Sequence, residues 1–152
     1  MVKPIHGTGA MSAFDLSAFL PYQLAVAASR VSRGFAELYR AEFGLSIAEW
    51  RVLAHLAQSG AVSVREICAR VEMDKPKISR AAARLEAAGL IEKHANSTDR
   101  RLVVISLTDA GRDLVARILP IAERYQAQVL AQLGAGAAPF RAALATLLKD
   151  PE

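Results

Sequence analysis

The chain has 152 residues, 53% of them hydrophobic and only 6% aromatic, enough for one domain or two small intertwined lobes with a buried core, which excludes general disorder. A formal charge of +4 and a pI near 9.6 suit a polyanionic partner. A lone cysteine, Cys68, excludes an internal disulfide framework and fits a reducing compartment. Lys3 precedes no long apolar segment, and the apolar stretch from Phe19 to Ala28 is short and interrupted by Pro21 and Gln23. The expectation is a cytoplasmic chain without signal peptide or membrane segment.

Residues 1–16 mix Gly, Pro, Ser and Thr and read as a flexible arm. A long helix follows, from about Ser17 or Pro21 to Phe43, with Leu24, Ala27, Val31, Phe35 and Leu38 on one stripe and Gly44 as its left-handed cap. Ser46-Ile-Ala-Glu49 is a capping box, serine and glutamate closing two backbone donors. It opens a helix with Trp50, Leu53, Leu56 and Ala57 on its apolar stripe, stopped by Ser59-Gly60. Ser63-Val-Arg-Glu66 opens a short helix carrying Ile67, Cys68 and Val71. Asp74 then caps a fourth helix that tolerates Pro76 in its first turn and ends at Ala88-Gly89.

After Gly89 the period changes. Leu90 to His94 reads as a strand, His94 to Arg101 as a polar turn, and Leu102 to Leu107 as a β-branched strand, together a hairpin with a charged tip. Thr108 caps another long helix, with Leu114, Ile118, Ile121, Tyr125 and Val129 on one face and a kink expected at Pro120. Gly134-Ala-Gly136 separates it from a last helix, Ala138 to Leu148.

Two short helices joined by a tight turn and followed at once by a hairpin make a winged helix-turn-helix. The fold class is therefore mainly α with a small β-hairpin wing, a winged helix-turn-helix plus a helical dimerisation lobe. The division is 45–108 for the DNA-binding domain and 17–44 with 109–152 for the lobe. If Ile78, Ala82 and Leu85 face the core, the fourth helix presents Pro76, Lys77, Arg80, Ala83 and Arg84 outward, a cationic, small-residued face that a major groove admits. Ser79 flanks it, and Lys75 and Lys77 sit at its N-terminus, where backbone donors also favour phosphate. From Lys75 to Arg101, seven cations (Lys75, Lys77, Arg80, Arg84, Lys93, Arg100, Arg101) meet three acids (Glu86, Glu92, Asp99). The excess of four equals that of the whole chain. The wing tip adds Arg100 and Arg101 on an extended loop, where a guanidinium can enter a narrow minor groove, and Asp99 can orient one of them through a bidentate pair.

The stretch Asp99-Arg-Arg101-Leu-Val-Val-Ile105-Ser-Leu107-Thr108 resembles the wing signature of the MarR family. Leu85-Glu-Ala-Ala-Gly89-Leu90-Ile91 resembles that family's passage from recognition helix to wing, and Gly44-Leu45-Ser46 with Trp50-Arg-Val-Leu53 its first helix junction. The match runs in order over about residues 20 to 148. It implies that Arg101 is a minor-groove finger with Asp99 as its partner, and that the helix from Asp74 lies in the major groove with Lys77, Arg80 and Arg84 in contact. Pro76 departs from the family pattern.

The stripes of the first and last helices lack a partner inside a winged helix, and a two-fold homodimer on double-stranded DNA would cover them. The resemblance implies dimerisation through these helices. It also implies a ligand-responsive repressor on a pseudo-palindromic operator, with a small aromatic acid, phenol or thioester as effector. Phe35, Tyr39, Trp50, Arg51 and His55 are the candidate lining, Arg51 or His55 meeting a carboxylate. The competing reading puts Phe35 and Trp50 in the core and leaves His55 a surface histidine. His6, His55 and His94 have no metal-ligand spacing, and no cofactor is implied.

Two further alternatives remain. Cys68 raises a redox-sensing regulator, but the reactive thiol of such relatives lies in the first helix, and beside Ile67 and Val71 a buried, inert thiol is the competing reading. A helical protein-interaction module without DNA binding is the other. No G-x-x-x-x-G-K, H-E-x-x-H or G-x-S-x-G occurs, which argues against an enzyme.

Overall fold

Six helices and three short strands follow one another along residues 13–151, the part of the chain that the computed structural model describes. They are α1 (Leu20–Phe43), α2 (Ile47–Ser59), β1 (Val62–Ser63), α3 (Val64–Val71), α4 (Lys75–Ala87), β2 (Ile91–Ala95), β3 (Val103–Leu107), α5 (Asp109–Leu133) and α6 (Ala137–Leu147). Most of the expected N-terminal arm lies outside the described residues. Its last two positions, Asp15 and Leu16, are instead ordered into the start of a 3-10 turn, Leu16–Ala18, whose N-cap Asp15 accepts the Ser17 amide at 2.9 Å.

Short polar side chains at the caps set the helix boundaries. Ser46 Oγ accepts the Glu49 amide at 3.1 Å, Ser63 Oγ that of Glu66 at 3.2 Å, Asp74 Oδ1 that of Lys77 at 2.9 Å, and Thr108 Oγ1 that of Gly111 at 3.1 Å. The first box is not the expected reciprocal one, because the Glu49 carboxylate takes the Ser46 hydroxyl at 2.9 Å rather than a backbone donor. Gly44, at φ 68°, turns the chain out of α1 in the left-handed region. Glu72, at φ 50°, does the same after α3, with a side chain that makes the conformation costly. α5 runs unbroken through Pro120.

The sheet has three strands rather than the two of the expected hairpin, in the order β1-β3-β2 and antiparallel throughout. Val62 pairs with Ile105, and the wing pairs Ile91 with Leu107 through to Ala95 with Val103. β1 was not foreseen because two residues, the second of them the Ser63 N-cap, offer no alternation to detect.

The core lies between α2, α3, α4, the root of the sheet and the N-terminal half of α5. Leu53, Ile67, Ile78, Leu85, Ile91, Ile105 and Ile118 are its fully buried leucines and isoleucines. Each stabilises the fold by about 1.5–3 kcal/mol on burial. The α2 stripe is rotated by one position from the expectation: Val52 is fully buried, Ala57 is exposed and Trp50 is half-buried. On α1 only Ala36 and Tyr39 are buried, so Ala27, Val31 and Leu38 of the expected stripe stay exposed. No residue of α6 is buried.

Candidate nucleic-acid interface

On α4 the buried residues are Ile78, Ala81, Ala82 and Leu85. At 100° per residue they span one side of the helix. The exposed side then carries Pro76, Arg80 and Ala83 at its crest, Lys75 and Ser79 on one flank, and Lys77 and Arg84 on the other. All seven are exposed. Pro76 sits in the first turn, where no intrahelical amide is lost. Lys77 and Arg84 turn toward α1 and α2. Arg84 Nε donates to Glu49 Oε1 at 3.1 Å, so Arg84 ties α4 to the start of α2. Arg80 is the cation on the crest.

The wing tip is held by its own polar side chains. Asn96 Oδ1 accepts the Thr98 amide at 2.8 Å, the Thr98 hydroxyl at 2.7 Å and the Asp99 amide at 3.3 Å. The Asn96 amide donates to the Leu102 carbonyl at 2.8 Å, which closes the loop. Asp99 does not form the expected pair with an arginine side chain: its Oδ1 accepts the backbone amide of Arg101 at 3.0 Å. An aspartate two residues before an amide makes an Asx turn, and that local bond claims the carboxylate. The tip thus presents exposed Arg100 and Arg101 from an ordered turn.

The wing root is clamped to α5. The Thr108 hydroxyl donates to the Gly89 carbonyl at 2.6 Å and the Thr108 amide to the Leu90 carbonyl at 3.1 Å. Gly111, in the first turn of α5, leaves room for that Leu90 carbonyl.

The five expected pocket residues do not share one cavity. Phe35, Tyr39 and Trp50 form an aromatic cluster with centroids 4.9–5.9 Å apart, and Tyr125 stacks on Phe35 at 5.6 Å. Tyr39 is 1% exposed, and burial pushes its phenol above the ordinary value. Tyr39 belongs to the core, and Phe35 and Trp50 pack half-buried against it, close to the competing reading of these rings, with Phe35 also facing a cavity on its other side. Arg51 opens instead onto a crevice between α1, α2 and α4. His55 lies one turn further along α2, with Arg70 Nη1 at 3.5 Å and Ser59 Oγ at 3.4 Å, and partial burial lowers its pKa, helped by Arg70 and opposed by Glu66. Cys68 is half-buried and packs against the core.

The sequence missed several groups. Arg33 and Arg40 face the crevice from α1, and their i, i+7 spacing could have placed them on one face. A separate cavity of about 340 Å³ lies between α1, α5 and α6, with Phe35, Ser32, Tyr125, Gln126 and Arg141 among its lining. Among the described residues there is no cluster of three or more His, Cys, Asp or Glu able to hold a metal, and no helix is long and apolar enough to cross a membrane.

A model of the MarR family matches residues 43–102. The transcriptional repressor MdtR of Bacillus subtilis is 40% identical over 68 residues, which cover 45% of this chain and 44% of MdtR; the chain spans about half the length of the sequence relatives it matches first. A MarR family regulator of Silicibacter pomeroyi, SPO1453, superposes with a TM-score of 0.78 at 31% identity, covering 89% of this chain and 96% of that one. Bordetella bronchiseptica BpsR, whose DNA binding is regulated by 6-hydroxynicotinic acid, has the same fold, with a TM-score of 0.78 at 24% identity over 91% and 99% of the two chains.

Proposed function

Because the chain belongs to the MarR family of transcriptional regulators, a family of DNA-binding proteins and not of enzymes, we propose that it is a homodimeric, ligand-responsive repressor of a pseudo-palindromic operator. The observation that carries the reading is the two-sided α4: four buried apolar residues behind it, and a crest of Pro76, Arg80 and Ala83 in front. Small residues let a helix approach base edges, and one central arginine supplies bidentate donors for guanine. Arg100 and Arg101, on the ordered tip, reach the adjacent minor groove, and Lys75, Lys77 and Arg84 serve phosphates.

The lobe of 17–44 and 109–152 serves dimerisation. Its exposed apolar side chains favour this: Phe19, Leu20 and Tyr22 near the start, Val31 and Leu38 on α1, Leu133 on α5, and Phe140, Leu147 and Leu148 at the end are each at least 39% exposed. Such a surface wants a partner, and a two-fold pair matches two half-sites one helical turn apart. The cavity walled by Phe35 and Tyr125, with Arg141 as its cation, suits a small aromatic acid. BpsR and its 6-hydroxynicotinic acid are in keeping with that class.

Arg80→Ala tests the reading. Operator affinity falls by about 1–3 kcal/mol, and preference at one base position relaxes. Unchanged affinity and unchanged base preference would remove α4 from the groove.

A further inference from the structure

The crevice between α1, α2 and α4 has a volume of about 550 Å³, within the range of small-molecule sites. Six cations line it: Arg33 and Arg40 from α1, Arg51 from α2, and Lys77, Arg80 and Arg84 from α4. Among the described residues only Arg84 of the six forms an ion pair, with Glu49. A concave wall carrying charge of one sign focuses the potential inside it, and guanidinium forks match phosphate and carboxylate oxygens. Ala28, Ile47, Ala48 and Met73 supply apolar wall between the cations. One carboxylate against six cations leaves an excess that a single monoanion would not balance.

Three of the six, Lys77, Arg80 and Arg84, are also among the cations that α4 offers to DNA, Lys75 being the fourth. We propose that this crevice is a regulatory site for a small polyanion, a ligand with two or more phosphate or carboxylate groups, which displaces DNA by occupying Lys77, Arg80 and Arg84. The displacement part rests on the DNA-binding reading above; the site itself does not. The device is competition for shared charge rather than a change in lobe spacing. An occupant that engages all three cations removes the Arg80 base contact and two phosphate partners, Lys77 and Arg84, per protomer, and with the phosphates roughly 1.8 from the log–log salt slope of each protomer.

The probes are pyrophosphate and citrate, each titrated calorimetrically into the full-length, DNA-free protein at ionic strength held constant with KCl. The same additions are then made to a labelled duplex selected from a random-sequence pool. Pyrophosphate, citrate or both bind at one per protomer and weaken DNA binding by at least about tenfold; which of them does so separates phosphate from carboxylate recognition. The Arg33→Gln/Arg40→Gln variant, altered on the wall away from α4, loses the anion and its effect while binding DNA within about twofold of the parent. No heat from either anion would overturn the site. Anion binding that leaves DNA affinity unchanged would overturn the competition. A variant that loses DNA affinity along with part of its salt slope would show the crevice to be an extension of the DNA footprint. Because calorimetry is run without DNA, failure of the DNA reading leaves that arm intact.

Discussion

Replacing Gly111 by alanine sets two effects of opposite sign against each other. Alanine is the better helix former by about 0.8–1.0 kcal/mol in a helix interior, and less in a first turn. Against this, a Cβ at Gly111 would fall under 3.0 Å from the Leu90 carbonyl oxygen, 3.1 Å from its carbon and 3.2 Å from Leu107 Cδ2. The obstruction is backbone that cannot swing aside, and it already accepts the Thr108 amide. Overpacking of this kind costs about 1–3 kcal/mol, and disturbing the Thr108 bond adds about 1 kcal/mol. Gly111→Ala is therefore destabilised by about 2 kcal/mol, or roughly 4–8 °C for a chain of this size. Gly34→Ala is the control. There the Cβ meets the hydroxyl end of Tyr125, a side chain that can rotate away, losing its 2.7 Å bond to the Val31 carbonyl. That loss of about 1 kcal/mol nearly cancels the gain in helix propensity, leaving stability within about 0.5 kcal/mol of the parent. Urea unfolding followed by far-UV circular dichroism, at one fixed protein concentration, gives both values. A Gly111→Ala protein as stable as the parent, or less affected than Gly34→Ala, would refute the clamp between wing root and α5.

Three other perturbations probe separate parts of the molecule. Arg101→Ala weakens operator binding by at least about 1 kcal/mol while sedimentation and thermal melting stay unchanged; unchanged affinity at moderate salt removes the wing finger. Glu72→Gly relieves a left-handed conformation costing about 1–2 kcal/mol and returns about 0.5–1 kcal/mol to the entropy of the unfolded chain, for a net gain of about 0.5–1 kcal/mol; a lower urea midpoint contradicts it. His55 titrates below its ordinary 6.5 in the folded chain because it is partly desolvated beside Arg70. Between that lowered value and 6.5 the unfolded chain holds more protons, so the contribution is complete above about 6.5 and falls as the pH drops through that window. His55→Gln shows a shallower loss between pH 7.5 and 5.5, and an identical slope in both proteins rules the effect out.

The parts legible in the sequence are those with local causes. Ser46, Ser63, Asp74 and Thr108 are N-caps whose bonds lie within three residues, so helix starts were visible, and the 2-to-3.6 change of period around Gly89 and Thr108 marked the wing. The cationic face of α4 followed from spacing alone. Long-range partners were not legible. That Arg84 bonds Glu49 across 35 positions, that Tyr125 reaches Val31 across 94, and that β1 joins β3 all depend on tertiary placement. Asp99 was misassigned because two chemistries compete for one carboxylate, and the amide two residues on was nearer than a guanidinium. The family resemblance puts Phe35, Tyr39, Trp50, Arg51 and His55 on one wall, yet neighbouring elements divide them among the aromatic cluster against the core, the basic crevice and the Arg70 contact.

Titration of the purified protein against DNA from upstream of its own gene, over a range of salt and with nonspecific competitor, tests sequence-specific regulation most directly. Tight, competitor-resistant binding is expected, with a log–log salt slope of about −4 or steeper for a dimer engaging at least four phosphates. Weak binding that competitor abolishes, on this DNA and on duplexes selected from a random pool alike, would contradict it and leave a winged helix used for protein contact.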